Sequence, residues 1–171
     1  MEEEIQLKGN KIYAPLIDDW LIAKPEEKVR QKYINRLTKN YGFTLKQMAQ
    51  EVQVNNSQRG QGRAMADIVI WKSEDDKNDK NQAAIVVECK AEHLTIREED
   101  YFQGYNYASW AGADFFVTTN LKETRIFKVV KGKLPKQLDE VIDIPKAKII
   151  NNDKKVKELL KQTKAFTRDE F

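Results

Sequence analysis

Residues 65–92 read MADIVIWKSEDDKNDKNQAAIVVECKAE. Two apolar runs, MADIVIW (65–71) and AAIVVECKAE (83–92), flank a wholly polar segment, SEDDKNDKNQ (73–82). Runs of this length, rich in β-branched residues, predict two strands joined by a long, solvated hairpin loop. The second run is apolar until it reaches Glu88 and Lys90. Alternate side chains of a strand share a face, so these two point the same way, about 7 Å apart, while Val87 and Cys89 point the other. The first run carries one acid, Asp67, ahead of IVIW. If the strands pair as a hairpin, Asp67 approaches Glu88, and two carboxylates and an amine converge at the end of a sheet.

Such a set suits a hard divalent cation. Magnesium prefers oxygen ligands, is typically held by one or two carboxylates, and keeps water or phosphate oxygens in its other positions. A lysine beside it is placed to orient an attacking water. The same three residues also read as a salt-bridged trio on a sheet, because Glu-x-Lys is a common tripeptide. Two further features bear on the choice: an acid opens the preceding strand, and Gln103 and Tyr107 stand one helical turn apart downstream, hence side by side. Tyr107 as a core residue with Gln103 as its solvated neighbour is the plainer alternative.

Upstream, Pro25 opens a helix over about 26–40, with Glu26 and Glu27 in its first turn and Val29, Tyr33, Ile34, Leu37 and Tyr41 at helical spacing. Residues 1–24 are mixed, with an aromatic-aliphatic patch from Ile12 to Leu21, and QEVQV (50–54) alternates as a half-buried strand. Downstream, Arg97–Ala111 reads as a helix with Tyr101, Tyr105 and Ala108 on its apolar side. ADFFVTTN (113–120) and RIFKVV (125–130) read as two strands, and a Lys-rich helix is expected around Val156, Leu159 and Leu160. The order of elements predicts a mixed α/β (α+β) fold around one sheet.

Bulk composition narrows the function classes. At 171 residues and 40% hydrophobic, the chain fits one domain with an ordinary core. A net charge of +3 is compatible with a nucleic-acid partner without pointing to one. One cysteine, Cys89, excludes an internal disulfide and a cysteine-based zinc cluster, and a single histidine, His93, argues against a histidine-rich metal site or a Ser-His-Asp triad. No apolar run approaches the ~18 residues of a membrane span, and the acidic, polar start lacks the core of a signal peptide. The expected location is cytoplasmic, with no membrane partner.

Asp67, then Glu88-Cys89-Lys90, then Gln103-Gly-Tyr-Asn-Tyr107 resemble the PD-(D/E)xK signature with the Gln-x-x-x-Tyr extension of type I restriction enzymes and related exonucleases. PEEKVRQKYINRL (25–37) resembles the opening helix of the N-terminal nuclease domain of type I restriction R subunits, and ADFFVTTN with TRIFKV resembles its closing hairpin. The resemblance covers about residues 14–130. It implies a restriction-endonuclease-like mixed sheet flanked by helices, cutting phosphodiester bonds of double-stranded DNA with magnesium, for which manganese substitutes. Carried over by position, Asp67, Glu88 and the Cys89 carbonyl hold the cation, Lys90 handles the water, and Gln103 and Tyr107 contact DNA or brace the site. Ala66 stands where the motif's name has proline.

In that superfamily a helix carboxylate often joins the site. Counting 100° steps from Val29 places Glu26 within the apolar stripe and Glu27 at its edge, so Glu26 is the expected secondary site residue. Complementing the helix dipole is the alternative for both. Arg59 and Arg63, in the SQRGQGR loop (57–63), are candidate DNA-backbone contacts or simple loop solvation. The loop is no Walker motif, so no bound nucleotide is expected. His93 is a weaker DNA candidate. Cys89 is expected to pack behind the site, and Trp71 and Trp110 to be core or strand-end aromatics. The expected domain runs over 1–145, and 146–171 is a helical extension or linker to a missing domain. Its tail, KAFTRDEF, resembles the join to a DNA adenine methyltransferase in single-chain restriction-modification fusions. The expected partners are therefore DNA and motor, specificity or methyltransferase domains or subunits. A non-cleaving DNA-binding or assembly module of the same fold is the competing reading.

Overall fold

A computed structural model of the chain describes residues 4–54, 65–130, 138–161 and 164–166. The first elements make a small antiparallel sheet of β1 (Leu7–Lys8), β2 (Lys11–Ala14) and β3 (Asp19–Ile22). Sequence patterning shows this region only as an undivided patch. Its strands are too short to show an alternation, and the turns between them rest on left-handed residues, Gly9 at φ 60° and Asp18 at φ 49°. Tyr13 and Trp20, opposite each other across β2 and β3, bring their rings to 5.4 Å and hold the sheet together.

Helix α1 (Pro25–Lys39) follows, starting at the proline as expected. A single 3-10 turn (Leu45–Gln47) leads into β4 (Met48–Gln53), and then come β5 (Met65–Ile70), α2 (Glu74–Asn78), β6 (Ile85–Cys89), α3 (Glu98–Trp110), β7 (Phe115–Thr119) and β8 (Thr124–Lys128). The last elements are β9 (Leu138–Glu140), α4 (Asp153–Leu160) and β10 (Lys164–Phe166). The main sheet has the order β10-β9-β8-β7-β6-β5-β4. β6 and β7 run parallel because α3 carries the chain back between them; the other neighbouring pairs are antiparallel. The result is the α+β architecture expected, a mixed sheet with helices on both faces.

Alternation along β6 sorts its side chains between two cores. Ile85, Val87 and Cys89 join the cluster formed by Val29, Tyr33, Ile34 and Leu37 of α1, whereas Val86 joins Tyr101, Tyr105 and Ala108 of α3 with Phe116 and Phe127. Each fully buried aliphatic side chain is worth about 1.5–3 kcal/mol, so packing rather than intrinsic propensity holds α1 in place. Ile144 and Ile150 are buried in the α1-side cluster, and Val156 and Leu160 of α4 pack against it.

Two local expectations differ from the structure. The polar segment after β5 is not all loop: the Ser73 hydroxyl accepts from the Asp76 N–H at 3.0 Å, and three acids in the first turn favour the helix dipole, giving the short α2. Trp110, placed among core or strand-end aromatics, is 50% exposed at the end of α3, because the buried stripe runs through Tyr101, Gly104, Tyr105 and Ala108 instead.

Candidate active site

The β5–β6 ladder pairs Ile68 with Val87. Continued by one residue, that register sets Asp67 opposite Glu88, and there the ladder gives way to a side chain: the Cys89 N–H donates to Asp67 Oδ2 at 2.7 Å. The two carboxyls are close enough to share a hydrogen bond. Asp67 and Glu88, 21 positions apart in sequence, therefore meet at the end of the sheet, as the hairpin reading requires.

The two acids have unlike surroundings. Asp67 takes the Cys89 N–H and also lies 3.5 Å from Nη2 of Arg30. Burial pushes its carboxyl above the usual range, while the Cys89 N–H and Arg30 pull it back. Glu88 lies against α3 where Gly104 leaves room: a Cβ at 104 would stand 3.6 Å from Glu88 Cγ and 3.0 Å from the Phe116 ring. Glu88 Oε1 is buried with no hydrogen-bond partner among the described residues. Burial first, and then the Asp67 charge, push the Glu88 carboxyl up to about 9. An orphaned, buried carboxylate oxygen facing a second carboxylate calls for either a proton or a cation.

Arg30 is the main site residue that sequence reading missed. Its side chain is 7% exposed and sits among three acids: Glu27 Oε2 at 3.3 Å, Glu51 Oε1 at 3.3 Å and Asp67 Oδ1 at 3.5 Å. Nε and Nη1 make no aligned hydrogen bond, so these are ion pairs rather than a bidentate fork. Burial works against the guanidinium charge, but Glu27, Asp67 and Glu51 outweigh it. Glu51 reaches the cluster from a left-handed backbone at φ 54°, between the ladder pairs Gln50–Ile68 and Val52–Ala66. The available signal was Arg30's spacing to Tyr33, Ile34 and Leu37, which marks a charge inside an apolar stripe.

The helix acids are arranged differently from the rotation estimate. Glu27 is the buried one, 7% exposed, tied to Arg30 and accepting from Gln31 Nε2 at 2.9 Å; Gln31 in turn reaches Gln50 at 3.3 Å. Glu26 stays exposed at the rim, where partial burial and then Asp67 raise its carboxyl while Lys90 and Arg30 lower it. Arg30 draws the inward acid to itself one turn away, and that fixes which of the two turns in.

On the other side, Lys90 Nζ stands 3.5 Å from Asp100 Oδ1, whose Oδ2 accepts the Arg97 N–H at 2.9 Å at the start of α3. Gln103 Nε2 donates to the Tyr107 hydroxyl at 2.6 Å, so the two are neighbours as expected. Asp100, Gln103 and Tyr107 fall on one stripe of α3, beside Gly104. Cys89 is buried on the α1 side and burial pushes its thiol well up, which leaves it inert as a nucleophile. Arg59 and Arg63 lie outside the described residues. Among the described residues no group of three or more His, Cys, Asp or Glu side chains gathers to hold a metal. The donors present, two carboxylates, are oxygen ligands of the kind magnesium prefers.

A family model described as Type I restriction enzyme R protein N terminus matches residues 25–145, well over half of the chain and every site residue discussed above. The chain belongs to this family. The match starts at the first residue of α1 and ends beyond β9, so the family's extent takes in both helices that flank the carboxylates. Membership ties the chain to a restriction system, with DNA and other subunits as the partners the family implies. No curated protein and no solved structure matches the chain. Among the described residues no helix is long and apolar enough to cross a membrane.

Proposed function

We propose that the chain is the magnesium-dependent endonuclease module of a restriction system, hydrolysing phosphodiester bonds of DNA, either as the N-terminal part of an R protein or as the nuclease part of a restriction-methylase fusion. Asp67, Glu88 and the Cys89 carbonyl are the groups to hold magnesium, or manganese in its place. Bound there, the cation supplies positive charge to the phosphate and makes water a better nucleophile at neutral pH. The chain's own residues do the rest. Arg30 fixes the Asp67 carboxylate, and Lys90, on the same face as Glu88, orients the attacking water and faces the phosphate. Gln103 and Tyr107 steady the DNA strand beside α3, Glu26 is a secondary group at the rim, and Arg59 and Arg63, which precede β5 in sequence, are candidate contacts to the DNA backbone. Motor, specificity or methyltransferase partners choose the target. The cytoplasm, where such DNA is met, is the proposed location.

The observation that carries this reading is the buried, unpartnered Glu88 Oε1 facing Asp67, with Lys90 on the same strand face. A non-cleaving DNA-binding or assembly role is favoured by a different observation. Arg30 already neutralises Asp67 and Asp100 already holds Lys90, so the charges are partly closed on one another. Supercoiled plasmid incubated with magnesium or manganese separates the two, alongside a magnesium titration followed by calorimetry. Nicking or linearisation by wild type, reduced about 10²–10³-fold in Lys90→Ala, supports the nuclease. An intact plasmid together with no heat of magnesium binding leaves only the non-cleaving module.

A further inference from the structure

Beyond the carboxylates, the chain has a second group of charges that the proposed chemistry does not use. A cleft of about 410 Å³ is lined by Lys28 and Lys32 of α1, by Glu92 and His93 just past β6, and by Leu121 and Lys122 of the turn between β7 and β8. Lys28 and Lys32, four residues apart, lie one above the other on the helix. Among the described residues none of the three lysines is held in an ion pair, and Glu92 is the single acid in the lining. Leu121, at φ 75°, packs against the α1-side core, which gives the turn carrying Lys122 a fixed base.

The cleft adjoins the carboxylates along two paths. Pro25 is part of its lining and precedes Glu26, whose carboxyl feels both Asp67 and Lys90. His93 follows Lys90 by three residues, a stretch of chain that spans at most about 10 Å. That reach equals roughly three nucleotides of duplex rise along one strand. Three ammonium groups in no ion pair among the described residues, with an imidazole and a single carboxylate, give the cleft a net positive lining that matches a run of phosphates, which lysine binds as a point charge.

We propose that this cleft holds the sugar-phosphate backbone of DNA next to the scissile bond, with Lys28, Lys32 and Lys122 each on a phosphate and His93 as a donor beside them. It rests on the DNA reading above, and it adds which surface fixes the strand. The contacts are sequence-independent, so they position the duplex and leave target choice to partners.

The test is anisotropy of a fluorescein-labelled, random-sequence duplex titrated with the chain in EDTA over a series of salt concentrations, where no cutting can confuse binding. The expected result is that Lys28→Ala/Lys32→Ala/Lys122→Ala weakens binding at least about tenfold. The slope of log K against log salt should become shallower by about 2.7, near 0.9 for each phosphate that no longer meets an ammonium group. A control triple on the surface at α4, Lys154→Ala/Lys155→Ala/Lys161→Ala, keeps affinity and slope. If the cleft triple binds like wild type, or if the α4 triple weakens binding as much, the cleft assignment is overturned while the DNA reading stands. If wild type itself binds no duplex at low salt, both fall.

Discussion

The α1 side and the α3 side of the sheet end make opposite uses of charge. On the α1 side Arg30 is enclosed by Glu27, Glu51 and Asp67, and Glu27 continues into Gln31 and Gln50, so a buried cation is met by acids within 3.5 Å. On the α3 side Glu88 has a buried oxygen with no hydrogen-bond partner among the described residues, and Lys90 reaches Asp100 through a pair that keeps some access to water. The first arrangement balances its charges within the chain, although Arg30 Nε and Nη1, Gln31 Oε1 and Gln50 Nε2 make no aligned hydrogen bond among the described residues, whereas in the second one carboxyl stands beside another. A buried carboxyl pressed against a second one is costly when both are charged, and a proton or a bound cation would relieve it. Asp67 belongs to both sides: it is fixed by the finished half and presented to the unfinished one.

Breaking the finished half should have the largest effect. Arg30→Met leaves Glu27 and Asp67 buried without a counter-charge, at a cost of about 3–5 kcal/mol in folding stability, measured by urea denaturation. Glu51, whose side chain is 58% exposed, can rehydrate and contributes little to that cost. Adding Glu27→Gln to Arg30→Met should recover part of the loss, since one of the stranded charges is then gone. Lys90→Met on the α3 side, by contrast, should cost under about 1 kcal/mol, because Asp100 keeps access to water. Equal losses for the two single variants would erase the distinction between the sides.

A second effect sharpens the comparison through pH. In metal-free protein the Glu88 carboxyl has its folded value near 9, against an ordinary 4.5. The fold binds this proton more tightly than the unfolded chain does. The contribution of this proton to stability is therefore fully present below about 4.5 and is lost as pH rises through about 9. Urea denaturation in EDTA at several pH values across that range should show the decline in wild type and a flatter profile in Glu88→Gln. A wild-type profile as flat as the variant's would mean that Glu88 is not confined as described.

What the sequence made legible follows from how local each signal is. The β5–β6 pair stood out because two apolar runs were each interrupted by charges at strand spacing, and the cross-strand meeting of Asp67 and Glu88 then follows from register alone. The Gln103–Tyr107 contact is likewise a matter of one helical turn. Arg30 was harder, since its partners come from α1, β4 and β5 together, and only its misfit in an apolar stripe marks it. Choosing between Glu26 and Glu27 needed the helix rotation to better than one residue, and a neighbouring guanidinium decided it. Strands of two to four residues, as in β1 to β3, have no period to detect. Helix α2, at five residues, depends on a serine cap that a polar run conceals.

Gly104 tests the α3 side alone. An alanine there gains about 1 kcal/mol of helix propensity over glycine. Its methyl would also stand 3.0 and 3.1 Å from two carbons of the Phe116 ring, closer than van der Waals contact allows. Phe116 is fully buried, stacked on Phe127 at 4.8 Å and edge-on to Tyr105 at 5.9 Å, so it has little room to yield. Overpacking of this kind costs typically 1–3 kcal/mol, which leaves Gly104→Ala less stable by about 1 kcal/mol in a thermal or urea melt. Glu88 Cγ at 3.6 Å is in ordinary contact, so the methyl acts on the carboxylate only by lifting α3. The variant should therefore lose cleavage out of proportion to its small loss of stability, while the Arg30 cluster across the sheet is undisturbed. Full cleavage at reduced stability would mean that the carboxylates do not depend on how closely α3 approaches β6.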